Sequence, residues 1–378
     1  ERDAKSGHGA LQGAQQSGIA LPHSAGSDHG GKMRATIRVA VYHRNSDIRI
    51  EERPMPEIGP GELLMRVEAC GICGSDALEW YRIKKAPLVL GHEVAGVVAA
   101  VGEGVTRYRV GDRVAVAHHV PCNGCHFCRS GHPTVCETLL HHTNIHPGGF
   151  AEYCRVPEIN VDRGVFLLPD RVSFEEATFA EPLGCVLRGQ RMAGLKQGQS
   201  VVVLGSGLAG LLHILAARAA GAGFVAATDV SPFRMDAARS FGADAVFDAA
   251  DDIPARLREK LGRLADLVIV CTGATSAAMQ ALQATERGGT VLYFASTDPG
   301  VTIPLSINEF FWRRDTTITT TYAAAPEDYQ EALDLIAAGR IRVSDMITHR
   351  LPLAEASRGF QAVARADDCM KVVVLPQL

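Results

Sequence analysis

Ser200-Val201-Val202-Val203-Leu204-Gly205-Ser206-Gly207-Leu208-Ala209-Gly210 is the stretch on which the reading of the fold depends. A short apolar, β-branched run bounded by glycine reads as a buried strand, and residues 208–220 have helix length. The junction is a G-x-G-x-x-G, and Asp229 closes the next strand, 19 residues after Gly210. In that context each glycine has a task. The first makes the tight turn, the second lets a pyrophosphate approach the backbone, and the third lets helix pack on sheet. The free N–H groups of the helix start suit a phosphate. Asp229 would accept hydrogen bonds from the adenosine ribose hydroxyls and repel a 2′-phosphate, so NAD is expected over NADP. The expected cofactor contacts are Gly205, Gly207, Leu208, Gly210, Asp229 and Arg234, the last a cation that pulls against that preference. A purely structural glycine turn is the alternative. Strand, helix and acid in the right order favour the nucleotide.

Downstream, strand-like runs at 224–228, 266–270 and 290–294 alternate with helix-like segments, including 232–241 and 326–338. Such alternation means a parallel sheet with crossover helices. Upstream, residues 33–186 hold short alternating runs at 35–41, 62–67 and 94–101, punctuated by Gly and Pro, which read as a β-rich domain. Residues 371–375 form a last strand.

Composition narrows the function. The chain has 378 residues, 38 Lys plus Arg against 42 Asp plus Glu, and a net charge of -4, which argues against a general nucleic-acid binder, since that would need a basic face. Residues 1–32 hold seven Gly, four Ser and no aromatic residue, so a disordered leader or tag is expected, with the functional protein opening near Met33. The most apolar stretch, 208–227, is broken by His213, Arg218, Gly221 and Gly223, so no membrane span is expected and a cytoplasmic protein is.

Six of the ten Cys lie between Cys70 and Cys136, in a chain too long and too Cys-poor for a disulfide scaffold. Cys122, Cys125, Cys128 and Cys136 have spacing suited to a closed tetrahedral thiolate shell, which leaves no open position for chemistry. An iron–sulfur run would place its fourth Cys after three residues and before Pro. Here seven residues intervene and Glu137 follows. Cys73, His92 and Glu181 supply a thiolate, an imidazole and a carboxylate, the mixed set of an open catalytic zinc, with Glu93 beside it. Cys70, Cys154, Cys185, Cys271 and Cys369 read as small apolar side chains. Seven of the fourteen His lie between His118 and His146, without a ligand pattern.

The motifs Gly71 to Asp76, Gly91-His92-Glu93, the four-cysteine lobe, residues 148–153, Glu181-Pro182-Leu183 and the glycine turn follow one order along the chain. That order resembles the zinc-containing medium-chain alcohol dehydrogenases, above all their sorbitol (L-iditol), L-threonine and butanediol dehydrogenase branch. The resemblance implies an α/β fold: a GroES-like β-rich catalytic domain, 33–181 completed by 322–378, and a doubly wound Rossmann domain at 182–321. It implies one catalytic zinc on Cys73 and His92, with Glu181 ranked ahead of Glu93 as third ligand, and one structural zinc on the lobe.

By the same resemblance, a hydride passes between a secondary alcohol, a polyol or sugar derivative, and NAD, with zinc as the Lewis acid. Ser75 is the hydroxyl expected to touch the substrate oxygen. The relay histidine of polyol dehydrogenases is absent, because Leu78-Glu79 stand where they carry His-Tyr. His119, three residues before Cys122, is a candidate substitute relay or else a surface His beside the zinc lobe; Glu79 and Trp80 are expected to face the pocket, with a solvated Glu79 as the alternative. Arg313 and Arg314 are further expectations for substrate or cofactor contact. The alternatives are a threonine-like amino or hydroxy acid dehydrogenase and a non-catalytic NAD- and zinc-binding redox sensor. A small-molecule alcohol or ketone is the expected partner, with no nucleic acid, no membrane, and a homo-oligomer, dimer or tetramer.

Overall fold

The strand Ser200–Leu204 lies near the middle of a six-stranded sheet in the computed structural model, which describes residues 35–366 and 368–378. The expected leader at 1–32 lies outside the described residues. Across the sheet the strands run Ala245–Asp248, Phe224–Asp229, Ser200–Leu204, Ala265–Val270, Thr285–Tyr293 and Thr317–Thr320, all parallel. In chain order this is 3-2-1-4-5-6, the doubly wound arrangement. Alternate side chains explain why the strand is apolar throughout. Val201 and Val203 pack on one face with Leu211 and Leu212, and Val202 and Leu204 pack on the other with Ile253 and Leu257. The order reverses between Ser200–Leu204 and Ala265–Val270, and ligands of such sheets bind in the crevice at that point.

The first part of the chain forms a mainly antiparallel seven-stranded sheet. Its path is Ile347–Pro352, Lys371–Leu375, Leu63–Gly71, Glu93–Val101, Arg113–Val116 and Val165–Leu167, with Tyr153–Val156 also paired to Leu63–Gly71. The C-terminal strand therefore returns to the first sheet, with Val373 opposite Gly71. A three-stranded sheet of Asp47–Pro54, Thr36–Arg44 and Leu88–Val89 stands beside it.

Register positions the chemistry. Leu63–Gly71 and Glu93–Val101 are antiparallel neighbours with Gly71 opposite Glu93. The turn after one strand, bearing Cys73, thus meets the residues that open the other, His92 and Glu93. The helix Ala180–Met192 starts with Glu181 in its first turn and packs against the helices Leu208–Ala219 and Pro326–Ala337. It contacts strands of both sheets, and its N-terminal end brings Glu181 beside His92. Among the described residues, no helix is long and apolar enough to cross a membrane.

Candidate active site

The glycine turn has the geometry its spacing calls for. Gly205 has φ of +95°, which favours glycine, and closes the strand. A Cβ on Gly210 would stand 2.0 Å from the Gly205 carbonyl oxygen, so helix and strand approach too closely for a side chain. A Cβ on Gly207 would meet nothing within 4 Å. Gly207 is also the N-cap of Leu208–Ala219 and offers no side chain to the first-turn N–H groups. The result is an open cradle of amide donors that fits a pyrophosphate. Asp229 braces it: Oδ2 accepts from the Ser206 N–H at 2.8 Å, and Oδ1 from the Val230 and Ser231 N–H groups at 2.9 Å each. A carboxylate has about four acceptor positions, so Oδ2 keeps capacity for a ribose hydroxyl. Arg234 lies in the first turn of the next helix, its Nε buried without a partner.

The four thiols of Cys122, Cys125, Cys128 and Cys136 lie within 4.8 Å of one another. The Cys125–Cys128 sulfurs are 3.5 Å apart and the Cys122–Cys128 sulfurs 4.0 Å. Sulfurs on a tetrahedral zinc, with Zn–S near 2.3 Å, stand about 3.8 Å apart. Burial works against ionising Cys136, but N–H donors from Cys122 and Leu139 outweigh it and bring the thiol down to about 6. The donor set and its amide surround suit a thiolate-bound metal.

A second cluster forms around His92. Cys73, His92 and Glu93 bring their ligand atoms within 4.8 Å of one another, and so do His92, His118 and Glu181. The two acids differ in their surroundings. Glu93 is wholly buried and ion-paired to the equally buried Lys371. Glu181 is buried with the Cys185 thiol as its hydrogen-bond donor, at 3.5 Å, and burial pushes its carboxyl up, against the pull of His92. Among the described residues no ammonium or guanidinium forms an ion pair with Glu181, since Lys371, whose charge also draws the Glu181 carboxyl down, is engaged by Glu93, and such a carboxylate suits a cation.

Asp76 organises this cluster. Its Oδ1 lies 3.4 Å from His92 Nδ1 and 3.0 Å from Arg82 Nη2, and its Oδ2 accepts from the Cys73 N–H at 3.3 Å. Burial raises its carboxyl, but His92 and Arg82 outweigh this and hold it below the usual range. The contact to Nδ1 leaves His92 Nε2 for a ligand. The Ser75 hydroxyl donates to Cys73 Sγ at 3.3 Å and accepts from Arg82 Nη2 at 3.1 Å.

His118 and His119 form a wall beside the cluster. Their ring centroids are 3.6 Å apart, with His92 at 4.6 Å from His118 and Tyr322 at 5.7 Å from His119. Burial holds both imidazoles neutral, His119 down to about 3, and each Nδ1 is buried without a partner. Other expectations fare differently. Glu79 is exposed and its Oε2 accepts from the Asn45 N–H at 3.0 Å, so it braces the turn from outside. Arg314 donates to the Thr285 carbonyl oxygen at 2.7 Å, a contact within the nucleotide-side sheet region. His141, His142 and His146 are exposed.

Four residues near this cluster were not singled out from sequence: Asp76, Arg82, His118 and Lys371. Asp76 had a readable signal, since Cys73-x-x-Asp76 has the spacing of a capping box, and both of its bonds form. Lys371 had none, because its partner stands 278 residues away.

Comparison with known proteins agrees with this geometry. Residues 59–170 match the alcohol dehydrogenase GroES-like domain, and residues 209–338 match the zinc-binding dehydrogenase family. Sorbitol dehydrogenase of Gallus gallus is 34% identical over 337 residues, covering 86% of this chain and 93% of the relative. The 2R,3R-butanediol dehydrogenase of Bacillus subtilis superimposes with a TM-score of 0.79 at 31% identity, over 90% of this chain and 99% of that one. A protein named for the zinc-binding dehydrogenases, from Sinorhizobium meliloti and solved with NADP bound, superimposes at 0.81 with 30% identity, over 91% and 100%. Because these matches span both sheets and nearly the full length of each relative, the chain belongs to the zinc-containing medium-chain alcohol dehydrogenases, oxidoreductases that act on CH–OH groups with a nicotinamide cofactor.

Proposed function

We propose that this chain oxidises a secondary alcohol, a polyol or sugar derivative, with NAD and in reverse reduces the matching ketone. The observation that carries the reading is Glu181, a buried carboxylate with no ion pair among the described residues, set beside His92 at the head of the helix that packs on both sheets. Cys73, His92 and Glu181 would hold the catalytic zinc. Glu93, neutralised by Lys371, would stand next to it. Cys122, Cys125, Cys128 and Cys136 would hold the structural zinc. When bound, the metal supplies Lewis acidity and the nicotinamide takes or gives the hydride.

The remaining work falls to side chains. Asp76 fixes the ring of His92 through Nδ1. Ser75 presents its hydroxyl to the substrate oxygen. His119 is the residue we assign to proton exchange with solvent, in place of the relay that Leu78 cannot provide. The imidazole is half-buried, and desolvation lowers it to about 3. Gly205, Gly207, Leu208 and Gly210 cradle the pyrophosphate, and Asp229 and Arg234 flank the adenosine ribose. The acid makes NAD the preferred cofactor, although one similar structure holds NADP.

The division into 33–181 with 322–378, and 182–321, is part of the proposal. It is supported by the return of Ile347–Pro352 and Lys371–Leu375 to the first sheet. So is a homo-oligomer: Thr317–Thr320 is an open sheet edge, and the segment around it exposes Ile307, Trp312 and Ile318. A reducing, cytoplasmic setting fits ten free cysteines, four of them gathered as a metal lobe.

The test is a panel of D-sorbitol, myo-inositol, 2,3-butanediol, sugar acids and L-threonine with NAD, followed by reduced-nicotinamide absorbance, on the native chain and on Cys73→Ala. Turnover of a secondary alcohol that Cys73→Ala abolishes, with NAD binding intact, supports the reading. Turnover that survives Cys73→Ala overturns it.

A further inference from the structure

Arg82 makes three contacts with the turn that carries Ser75. Its Nε donates to the Ser75 carbonyl oxygen at 3.0 Å, its Nη2 to Ser75 Oγ at 3.1 Å, and the same Nη2 to Asp76 Oδ1 at 3.0 Å. The side chain is 14% exposed and Asp76 is wholly buried, so the guanidinium is seated rather than loosely tethered.

A hydroxyl has one proton and two lone pairs, while a guanidinium only donates and stays charged. With Arg82 filling one lone pair, the Ser75 proton is directed away from the guanidinium. In the structure it points at Cys73 Sγ, 3.3 Å away. The bond from Arg82 also draws electron density from Oγ, which makes the hydroxyl a better donor and a poorer acceptor. A donor held in place where negative charge develops is the arrangement that lowers a barrier electrostatically. Ser75 lies in a single 3-10 turn, Gly74–Ala77, capped by Cys73 and Asp76 and tied by Asn45 Nδ2 to the Ala77 carbonyl oxygen at 2.8 Å, and Arg82 adds the grip on the Ser75 carbonyl and hydroxyl.

We propose that Arg82 is a positioning residue for the reaction, gripping Ser75 at backbone and side chain so that its hydroxyl, one lone pair held, turns its proton from Cys73 Sγ to the substrate oxygen when substrate binds. The inference rests on the role given to Ser75 above. Lysine cannot replace it, because one ammonium does not span a carbonyl, a hydroxyl and a carboxylate in a fixed plane.

The test is a double-mutant cycle of Arg82→Lys and Ser75→Ala in the zinc-loaded full chain, assayed with the panel alcohol of highest turnover. Zinc content and melting temperature are read beside the kinetics. Arg82→Lys is expected to lower kcat about tenfold with little change in KM, and to lower it no further in the Ser75→Ala background. Arg82→Ala is the second variant, and added guanidinium ion should restore part of its kcat only where Ser75 is present. Equal losses in both backgrounds, or a loss that tracks falling zinc content, overturn the inference and leave the role of Ser75 standing. A Ser75→Ala enzyme with unchanged kcat overturns the inference and the Ser75 role together. Turnover surviving Cys73→Ala is the separate result that removes the catalytic-zinc reading.

Discussion

Lys371 and Glu93 form an ion pair in which both side chains are wholly buried, between residues 278 positions apart. Lys371 opens the last strand and Glu93 opens the strand Glu93–Val101, with Leu63–Gly71 between them in the sheet. Gly71 makes room: a Cβ there would stand 2.0 Å from Glu93 Oε2 and 2.5 Å from Lys371 Nζ. The C-terminal segment thus reaches the metal cluster with a charge as well as a strand.

Replacing one partner should be costly. Lys371→Met strands a buried carboxylate, and breaking a buried pair costs about 3–5 kcal/mol. Urea unfolding should show that loss for Lys371→Met, and part of it should return in Lys371→Met with Glu93→Gln. A single variant within about 1 kcal/mol of the native chain would show that the pair is not fully buried in solution.

Asp76→Asn should weaken zinc at the His92 cluster and spare the lobe. The carboxylate contacts the ring nitrogen of His92, and losing such a contact lowers metal affinity roughly 10–100-fold. Chelator competition should release zinc in two phases, with the weaker one weakened further and the lobe phase unmoved. Identical release curves would remove Asp76 from the metal site.

A third expectation concerns pH and lies away from the metals. His213 is fully buried in Leu208–Ala219, beside Gln190 and edge-on to Phe294, and burial lowers it to about 3. The unfolded chain binds its proton near pH 6.5 and the folded chain does not. No stability is lost to this group above pH 6.5. As pH falls from there toward 3 the unfolded state is favoured, by up to about 1.4 kcal/mol per pH unit. His213→Leu should flatten the decline in unfolding free energy by one proton over that window. A slope unchanged by the substitution would mean that the imidazole is protonated in place.

How much of this could be read from the sequence depends on distance along the chain. The glycine turn and the thiol lobe are local: their residues are neighbours, so spacing alone encodes their geometry. Cys73 and His92 were found through residue types that pair in an open zinc site, and the antiparallel register of Gly71 with Glu93 is what brings them together. Of the two readings of Glu79, pocket-facing or solvated, the structure has the solvated one, with Oε2 on the Asn45 N–H, where a carboxylate keeps its hydration rather than joining a buried acidic cluster. Lys371 and Arg82 escaped notice for opposite reasons. Lys371 has a partner too remote for any pattern. Arg82 has the spacing of an ordinary helix-surface arginine, and only the fold brings its three acceptors together. The strand Ala245–Asp248 and the edge strand Thr317–Thr320 were also missed, being four residues each with little apolar patterning.

The two inner glycines of the nucleotide turn give the sharpest contrast. Gly207 has φ of -69°, ordinary for alanine, and open space where its Cβ would go. Gly207→Ala should therefore leave the melting temperature unchanged, while its methyl group occupies the volume a pyrophosphate needs. Gly210→Ala drives a methyl carbon into the Gly205 carbonyl oxygen, a backbone atom that can move only if strand and helix separate. It should cost about 1–3 kcal/mol of stability, the usual range for overpacking. Calorimetric titration with NAD beside thermal melts separates the two. Gly207→Ala should lose affinity by tenfold or more, about 1.4 kcal/mol, at constant melting temperature, and Gly210→Ala should melt early. If Gly207→Ala binds NAD normally, the pyrophosphate does not lie over residue 207, and the amide cradle at the start of this helix serves another end of the cofactor.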